Sequence, residues 1–182
     1  ASLGIDTSHQ GRIVVDYSSP NIAKEMHVGH LRSTIIGQSI VNVLKLQGYE
    51  VISLNHLGDW GTAFGMLIAY LKEQKHPLTT NSDHPLSVRD LVALYRQAKQ
   101  AFDARKDFKQ QSQQEVVQLQ KGDKKNIALW KAICSASEKS FTEIYELLGV
   151  NLKSRGESFY NVMLAKVIDD FNHRKLLQQS DG

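Results

Sequence analysis

Arg12-Ile13-Val14-Val15-Asp16-Tyr17-Ser18-Ser19-Pro20-Asn21, running on through Ile22-Ala23-Lys24-Glu25-Met26 to His27-Val28-Gly29-His30-Leu31, is the stretch that decides the fold. Arg12 to Tyr17 is a short, β-branched apolar run, the mark of a buried parallel strand. Ser18 to Asn21 breaks it with turn formers. From Val28 to about Gln47 the apolar residues Val28, Leu31, Ile35, Ile40, Val43 and Leu44 recur at helical spacing, and Gly48 supplies a stop. A strand leading through a polar turn into a helix is the opening unit of an α/β sheet.

Working outward, Glu50 to Asn55 reads as a second strand, and the Gly58-Asp59-Trp60-Gly61 loop leads to a helix with Phe64, Leu67, Ile68 and Leu71 on one face. Strand, helix, strand, helix with short links predicts an α/β fold, the first half of a doubly wound parallel, Rossmann-like sheet, over residues 1–74. Residues 75–150 predict an all-helical insertion. After the polar loop Lys75 to Ser87, with Pro77 and Pro85, come an amphipathic helix on Val88, Leu91, Val92, Tyr95, Ala98 and Phe102 and a Gln-rich helix from Phe108 to Gln120. The Lys121-Gly122-Asp123 turn then opens a long helix whose seam carries Ile127, Trp130, Cys134, Ser137, Phe141, Ile144 and Leu148, with Gly149 as its stop. That seam, including Tyr145, reads as core. Residues 151–182 read as a return segment to the sheet: a loop or short strand at Arg155 to Tyr160, then a helix with Leu164, Val167, Ile168 and Phe171.

Composition narrows the function classes. Hydrophobic residues make up 41% and charged residues 23%, as in globular proteins generally. No apolar run approaches the ~18 residues of a membrane span, and Ala1 to Gln10 lacks the basic leader and apolar core of a signal peptide. Cys134 is the only cysteine, so the chain has no internal disulfide framework and no multi-cysteine zinc site. A cytoplasmic location is the resulting expectation. The net charge of +3 forms no dense basic block.

His27-Val28-Gly29-His30 falls where open α/β sheets bind nucleotides, at the turn from a strand's carboxyl end into a helix. Unpaired amides and the positive end of the helix dipole collect there. Gly29, without a Cβ, admits a flat base or ribose close to the backbone. Imidazoles at i and i+3 share a side and can donate to one polyphosphate. The same His pair suits half a metal site, but no Cys, Asp or Glu stands at ligand spacing, and no metal is expected. Lys24, one turn before His27, has two readings: a point charge for a phosphate, or a solvated lysine. Asp16 either ends its strand or faces a guanidinium, Ser19 to Asn21 are a plain turn or substrate contacts, and Trp60 is a pocket wall or core. His56 stays open as well.

The flanks are more specific. Ser18 to Met26 before the H-x-G-H motif, Leu31-Arg32-Ser33-Thr34-Ile35-Ile36-Gly37 after it, Asn55-His56-Leu57-Gly58-Asp59-Trp60-Gly61-Thr62, and Arg155-Gly156-Glu157-Ser158-Phe159-Tyr160-Asn161 together resemble the arginyl-tRNA synthetase family. One departure is Ala63, where that family usually has Gln. The resemblance implies an arginine–tRNA ligase that activates L-arginine with ATP and Mg2+ and passes it to tRNA(Arg), with no DNA and no membrane involved. It implies that Ser19, Asn21 and His30 hold L-arginine, with Asp16 toward the guanidinium. His27, Gly29, His30, Gly58 and Asp59 would line the ATP site, and His27, His30 and Lys24 would act in catalysis. It also implies that a second half-sheet, a KMSKS-type loop and an anticodon-binding domain lie outside these residues, leaving this piece inactive alone. Another class I synthetase of the cysteinyl type needs metal-binding cysteines that are absent. A small adenylyltransferase explains the motif but not the helical insertion. A non-catalytic RNA- or protein-binding module would use the helices as its docking surface.

Overall fold

Three parallel strands in chain order form the sheet: β1 (Arg12–Asp16), β2 (Glu50–Leu57) and β3 (Lys153–Gly156). The computed structural model describes residues 4, 6–81, 86–178 and 180. Register runs Arg12 opposite Glu50 to Asp16 opposite Leu54, and Leu54 opposite Lys153 to Leu57 opposite Gly156. All three strands therefore end at one edge, and the loops after them share it. Between them stand α1 (Val28–Leu46), α2 (Thr62–Glu73), α3 (Val88–Ala104), α4 (Lys106–Gln120) and α5 (Lys124–Leu147), and α6 (Leu164–His173) follows β3. This is an α/β, Rossmann-like arrangement with a helical layer, as expected from the chain's periodicity. β2 runs two residues beyond the predicted strand. β1, expected to be buried, is instead exposed at Arg12, Val14 and Asp16 as the first strand of the sheet. The third strand is Lys153–Gly156, with Glu157–Met163 coiled into 3-10 turns where Arg155 to Tyr160 reads as loop or strand. Within the predicted polar loop, Pro77–Thr79 make one 3-10 turn, while residues 82–85, including Pro85, lie outside the described residues.

Local chemistry explains the helix limits. Ser87 caps α3 by accepting from the Asp90 amide, and the Asp123 carboxylate accepts from the amides of Lys125 and Asn126 to start α5. The core runs through Phe64, Leu67, Ile68, Leu71, Leu91, Phe108, Leu119, Ile133 and Phe141. α2 is wrapped on nearly all sides, with Gly65, Met66 and Ala69 buried beside its predicted face. Gly65 lets α4 pass close by, and α2 packs against α3, α4 and α5, so it lies within the helical layer.

The face predicted for α1 is a correction. Val28, Ile35, Ile40 and Val43 are exposed, and the buried side is Thr34, Gly37 and Val41. α1 is apolar almost all the way round, so its periodicity does not choose a side. Close approach does: at Gly37 the helix lies against the buried Tyr17 ring, where any Cβ would collide. The apolar residues of α6, Leu164, Val167, Ile168 and Phe171, are exposed too.

Candidate functional site at the carboxyl edge of the sheet

The loop after β1 is held in an unusual backbone path. Ser18, Ser19 and Ala23 all have left-handed φ, at 74°, 50° and 64°. Such conformations cost non-glycine residues about 1–3 kcal/mol each and persist only where surroundings impose them. Here the surroundings are hydrogen bonds. The Ser19 amide donates to Asn55 Oδ1 at 3.0 Å, the Ala23 amide to Ser137 Oγ at 3.0 Å, and the Ser18 hydroxyl shares a 2.7 Å bond with the Tyr145 hydroxyl. Further along, the Ile22 amide donates to the Gly58 carbonyl and the Gly58 amide to the Pro20 carbonyl. Asn21 forms a lone parallel bridge to Gly58, and its Oδ1 fills the place a Gly58 Cβ would take. Gly58 is thus required by the approach of Asn21.

The second and third loops are stitched together by Asp59. One carboxylate oxygen accepts from the Ser158 amide at 2.8 Å and the other from its hydroxyl at 2.5 Å. Gly156 packs against the same carboxylate, and the Trp130 indole donates to the Asp59 carbonyl at 2.7 Å. Trp60 meets Trp130 edge to face, with ring centres 5.8 Å apart. Asp59, expected as an ATP contact, is buried with both oxygens engaged, which makes it a strut between loops. Asp16 Oδ1 accepts from the His56 amide at 3.3 Å and, more weakly, from Ser19 Oγ at 3.4 Å, and its side chain is exposed at the end of β1. His56 stacks obliquely with Tyr160.

At the amino end of α1 the two histidines cap the helix reciprocally. His27 Nδ1 accepts from the Gly29 amide at 3.1 Å, and His30 Nδ1 accepts from the His27 amide at 3.2 Å. An accepting Nδ1 carries no proton, so each neutral ring has its N–H at Nε2. Capping therefore settles the tautomer and leaves two Nε2–H donors on rings whose centres are 3.9 Å apart. Partial burial lowers the His30 pKa below its ordinary value, and the charges of His27 and Lys24 push the same way. The Lys24 ammonium is 5.7 Å from the centre of the Tyr95 ring on α3, within cation–π range. A Cβ at Gly29 would lie 2.9 Å from His27 Cε1, so glycine here also makes room for the capping ring.

A family model described as "tRNA synthetases class I (R), catalytic domain" matches residues 1–182. The chain belongs to this family. It is 52% identical over 176 residues to an arginine–tRNA ligase of Trichodesmium erythraeum, covering 97% of this chain and 30% of that protein. With an arginine–tRNA ligase of Nostoc sp. it shares 51% over 181 residues, covering 99% and 31%. In three dimensions it resembles the arginyl-tRNA synthetase of Plasmodium falciparum with a TM-score of 0.80 at 38% identity, covering all of this chain and 30% of that one. The chain thus spans about 30% of the length of the curated relatives it matches.

As a class I synthetase piece, the chain brings Asp16, Ser19, Asn21, Lys24, His27, Gly29, His30 and Gly58 to one edge of its sheet, with Asp59 beneath. Sequence reasoning missed four residues here: Asn55, Ser137, Tyr145 and Ser158. A signal existed for three of them. Asn55 is a polar residue inside a buried strand, and Ser137 and Tyr145 put hydroxyls on an apolar seam; such groups need buried partners. No described helix is long and apolar enough to cross a membrane.

Proposed function

We propose that this chain supplies the ATP- and arginine-binding corner of an arginine–tRNA ligase. The observation that carries the reading is the doubly capped end of α1, where the fold sets two Nε2–H donors, helix amides and the nearby Lys24 charge beside the Ser18–Asn21 loop. ATP enters as its magnesium complex, and we assign the metal no ligand from these residues. His27 and His30 donate to the phosphates. Gly29 and Gly58 border the nucleotide, the first giving room to the His27 ring and the second to the Asn21 side chain that reaches the substrate. Lys24 leaves Tyr95 to follow the charge on the departing pyrophosphate. A carboxylate oxygen of L-arginine attacks the α-phosphorus in line, the bond to pyrophosphate breaks, and arginyl-adenylate forms. Neutral, pre-aligned donors aimed where negative charge develops are the main source of rate in such a step. Ser19 and Asn21 hold the amino and carboxylate ends of arginine, each able to donate and accept. Asp16 pairs with the guanidinium, a charge-assisted bond worth about 1.5–3 kcal/mol that separates arginine from neutral side chains. A terminal ribose hydroxyl of tRNA(Arg) then attacks the arginyl carbonyl and AMP leaves. The cytoplasm is where these partners meet.

Titration of isotope-labelled protein with ATP tests the location. Amide shifts are expected at residues 24–31 and 58, and shifts confined to α3–α5 would refute the assignment.

A further inference from the structure

The hydrogen bonds around the left-handed loop form a closed circuit. The Ser19 amide donates to Asn55 Oδ1, Asn55 Nδ2 donates to the Tyr145 hydroxyl at 3.2 Å, and that hydroxyl meets Ser18 Oγ at 2.7 Å, returning to the loop one residue from where the circuit began. Both ends of the Asn55 amide are engaged, so its orientation is settled by the circuit. Ser18, Asn55 and Tyr145 are all buried. A second hold lies two turns earlier on the same helix, where Ser137 Oγ accepts from the Ala23 amide. The two holds bracket the segment that carries Ser19 and Asn21. Behind Tyr145, between α5 and the strands β2 and β3, lies a cavity of about 380 Å³ lined by Asn55, Phe141, Tyr145 and Leu152 among others. The Tyr145 ring lines this cavity, and its hydroxyl contacts join it to the loop.

We propose that Tyr145 and Ser137, on α5 of the helical layer, are positioning residues for amino-acid binding, holding the Ser18–Ala23 loop in the left-handed path that presents Ser19 and Asn21 to arginine. This rests on the reading of that loop as the arginine contact. α5 then shapes the arginine site selectively, because the amino end of α1 is capped by its own histidines and Lys24 rests on Tyr95 of α3, neither of them held by α5.

The test uses the complete enzyme that carries this sequence, with Tyr145→Phe and Ser137→Ala compared with Asn21→Ala. Hydrogen exchange at the peptide spanning residues 17–24 reads the loop, and steady-state charging of tRNA(Arg) reads the KM values for arginine and ATP. The expected result is faster exchange at 17–24 with β1 and β2 unchanged. The KM for arginine should rise about three- to tenfold, the scale of one lost hydrogen bond, with the KM for ATP held within twofold. Unchanged exchange in both α5 variants overturns the bracing, even where Asn21→Ala raises the KM for arginine and so upholds the loop's role. Faster exchange with an unmoved KM for arginine overturns the link to substrate. If Asn21→Ala also leaves that KM unmoved, the assignment of the loop to arginine has failed as well. Parallel increases in both KM values would mark a general loss of structure and equally overturn the selective role.

Discussion

His30 meets two demands on one ring. Its Nδ1 accepts from the His27 amide and helps start α1, while its Nε2–H points out as a donor. Both tasks need the neutral imidazole, and the lowered pKa keeps it neutral near pH 7. Because the folded value lies below the unfolded one, the unfolded chain takes the proton first as pH falls. The His30 contribution to stability is therefore full above about pH 6.5 and is lost as pH drops through the folded value. Urea midpoints measured from pH 8 to pH 5 should decline below about 6.5, and His30→Gln should flatten part of that decline. In catalysis, His30→Ala in the complete enzyme should slow arginine-dependent pyrophosphate exchange, measured with tRNA(Arg) present, by about 10²-fold or more, the loss typical of a transition-state donor. A rate matching the native enzyme would remove His30 from the catalytic set.

Among the elements, α1 shows most clearly how packing overrides pattern. Alanine is ordinarily favoured over glycine inside a helix by about 1 kcal/mol. Gly37 lies mid-helix, yet the Tyr17 ring occupies the space its Cβ would need, and Tyr17 is itself buried with its hydroxyl bonded to Gln38 at 2.7 Å. Gly37→Ala should therefore destabilise the fold by about 1–3 kcal/mol, the usual cost of overpacking, against the direction of helix propensity. Ser39→Ala on the exposed side of the same helix is the control and should be neutral or slightly stabilising. Chemical denaturation of the two variants settles the sign, and a stabilised Gly37→Ala would show that the ring has room to move.

Across the whole molecule, the proposed site lies at one edge of the sheet and would face an α-phosphate from one side only. α1 contributes His27, His30 and helix amides, and the loops after β1, β2 and β3 contribute the rest. In-line transfer also needs groups that hold the departing pyrophosphate, and donors that act as a unit lose most of their effect when some are missing. The curated relatives are about three times as long as this chain, which covers about 30% of each. We expect the 182-residue chain by itself to make no measurable arginyl-tRNA from labelled arginine, ATP and total tRNA beside a complete-enzyme control. Robust charging by the chain would show a far more self-contained site. Such an assay also tests whether the exposed apolar sides of α1 and α6 (Ile35, Ile36, Ile40, Val167, Ile168) are compatible with a working site in the isolated chain.

Periodicity and punctuation by themselves determined the order of elements from β1 to α5, while the third strand, legible only as a loop or short strand, formed at Lys153–Gly156 through its pairing with β2. The β-branched run at 12–17, the 3.6-residue repeats, and Gly48 and Gly149 are local signals set by backbone geometry and nearby hydrogen bonds. The motif residues of the site were legible for the same reason, since a strand, a turn and a helix start are contiguous in the chain. The side of α1 that is buried was decided only in three dimensions, because an all-round apolar helix takes its orientation from which neighbour can come closest, and Tyr17 comes closest at Gly37. Asp59 became a strut through Ser158, 99 residues away, and Tyr145 reached Ser18 across 127. No local pattern encodes partners at that separation. They are chosen when folding closes the sheet edge against α5 and buried polar groups must find one another or remain unpaired at a cost of about 1–3 kcal/mol each.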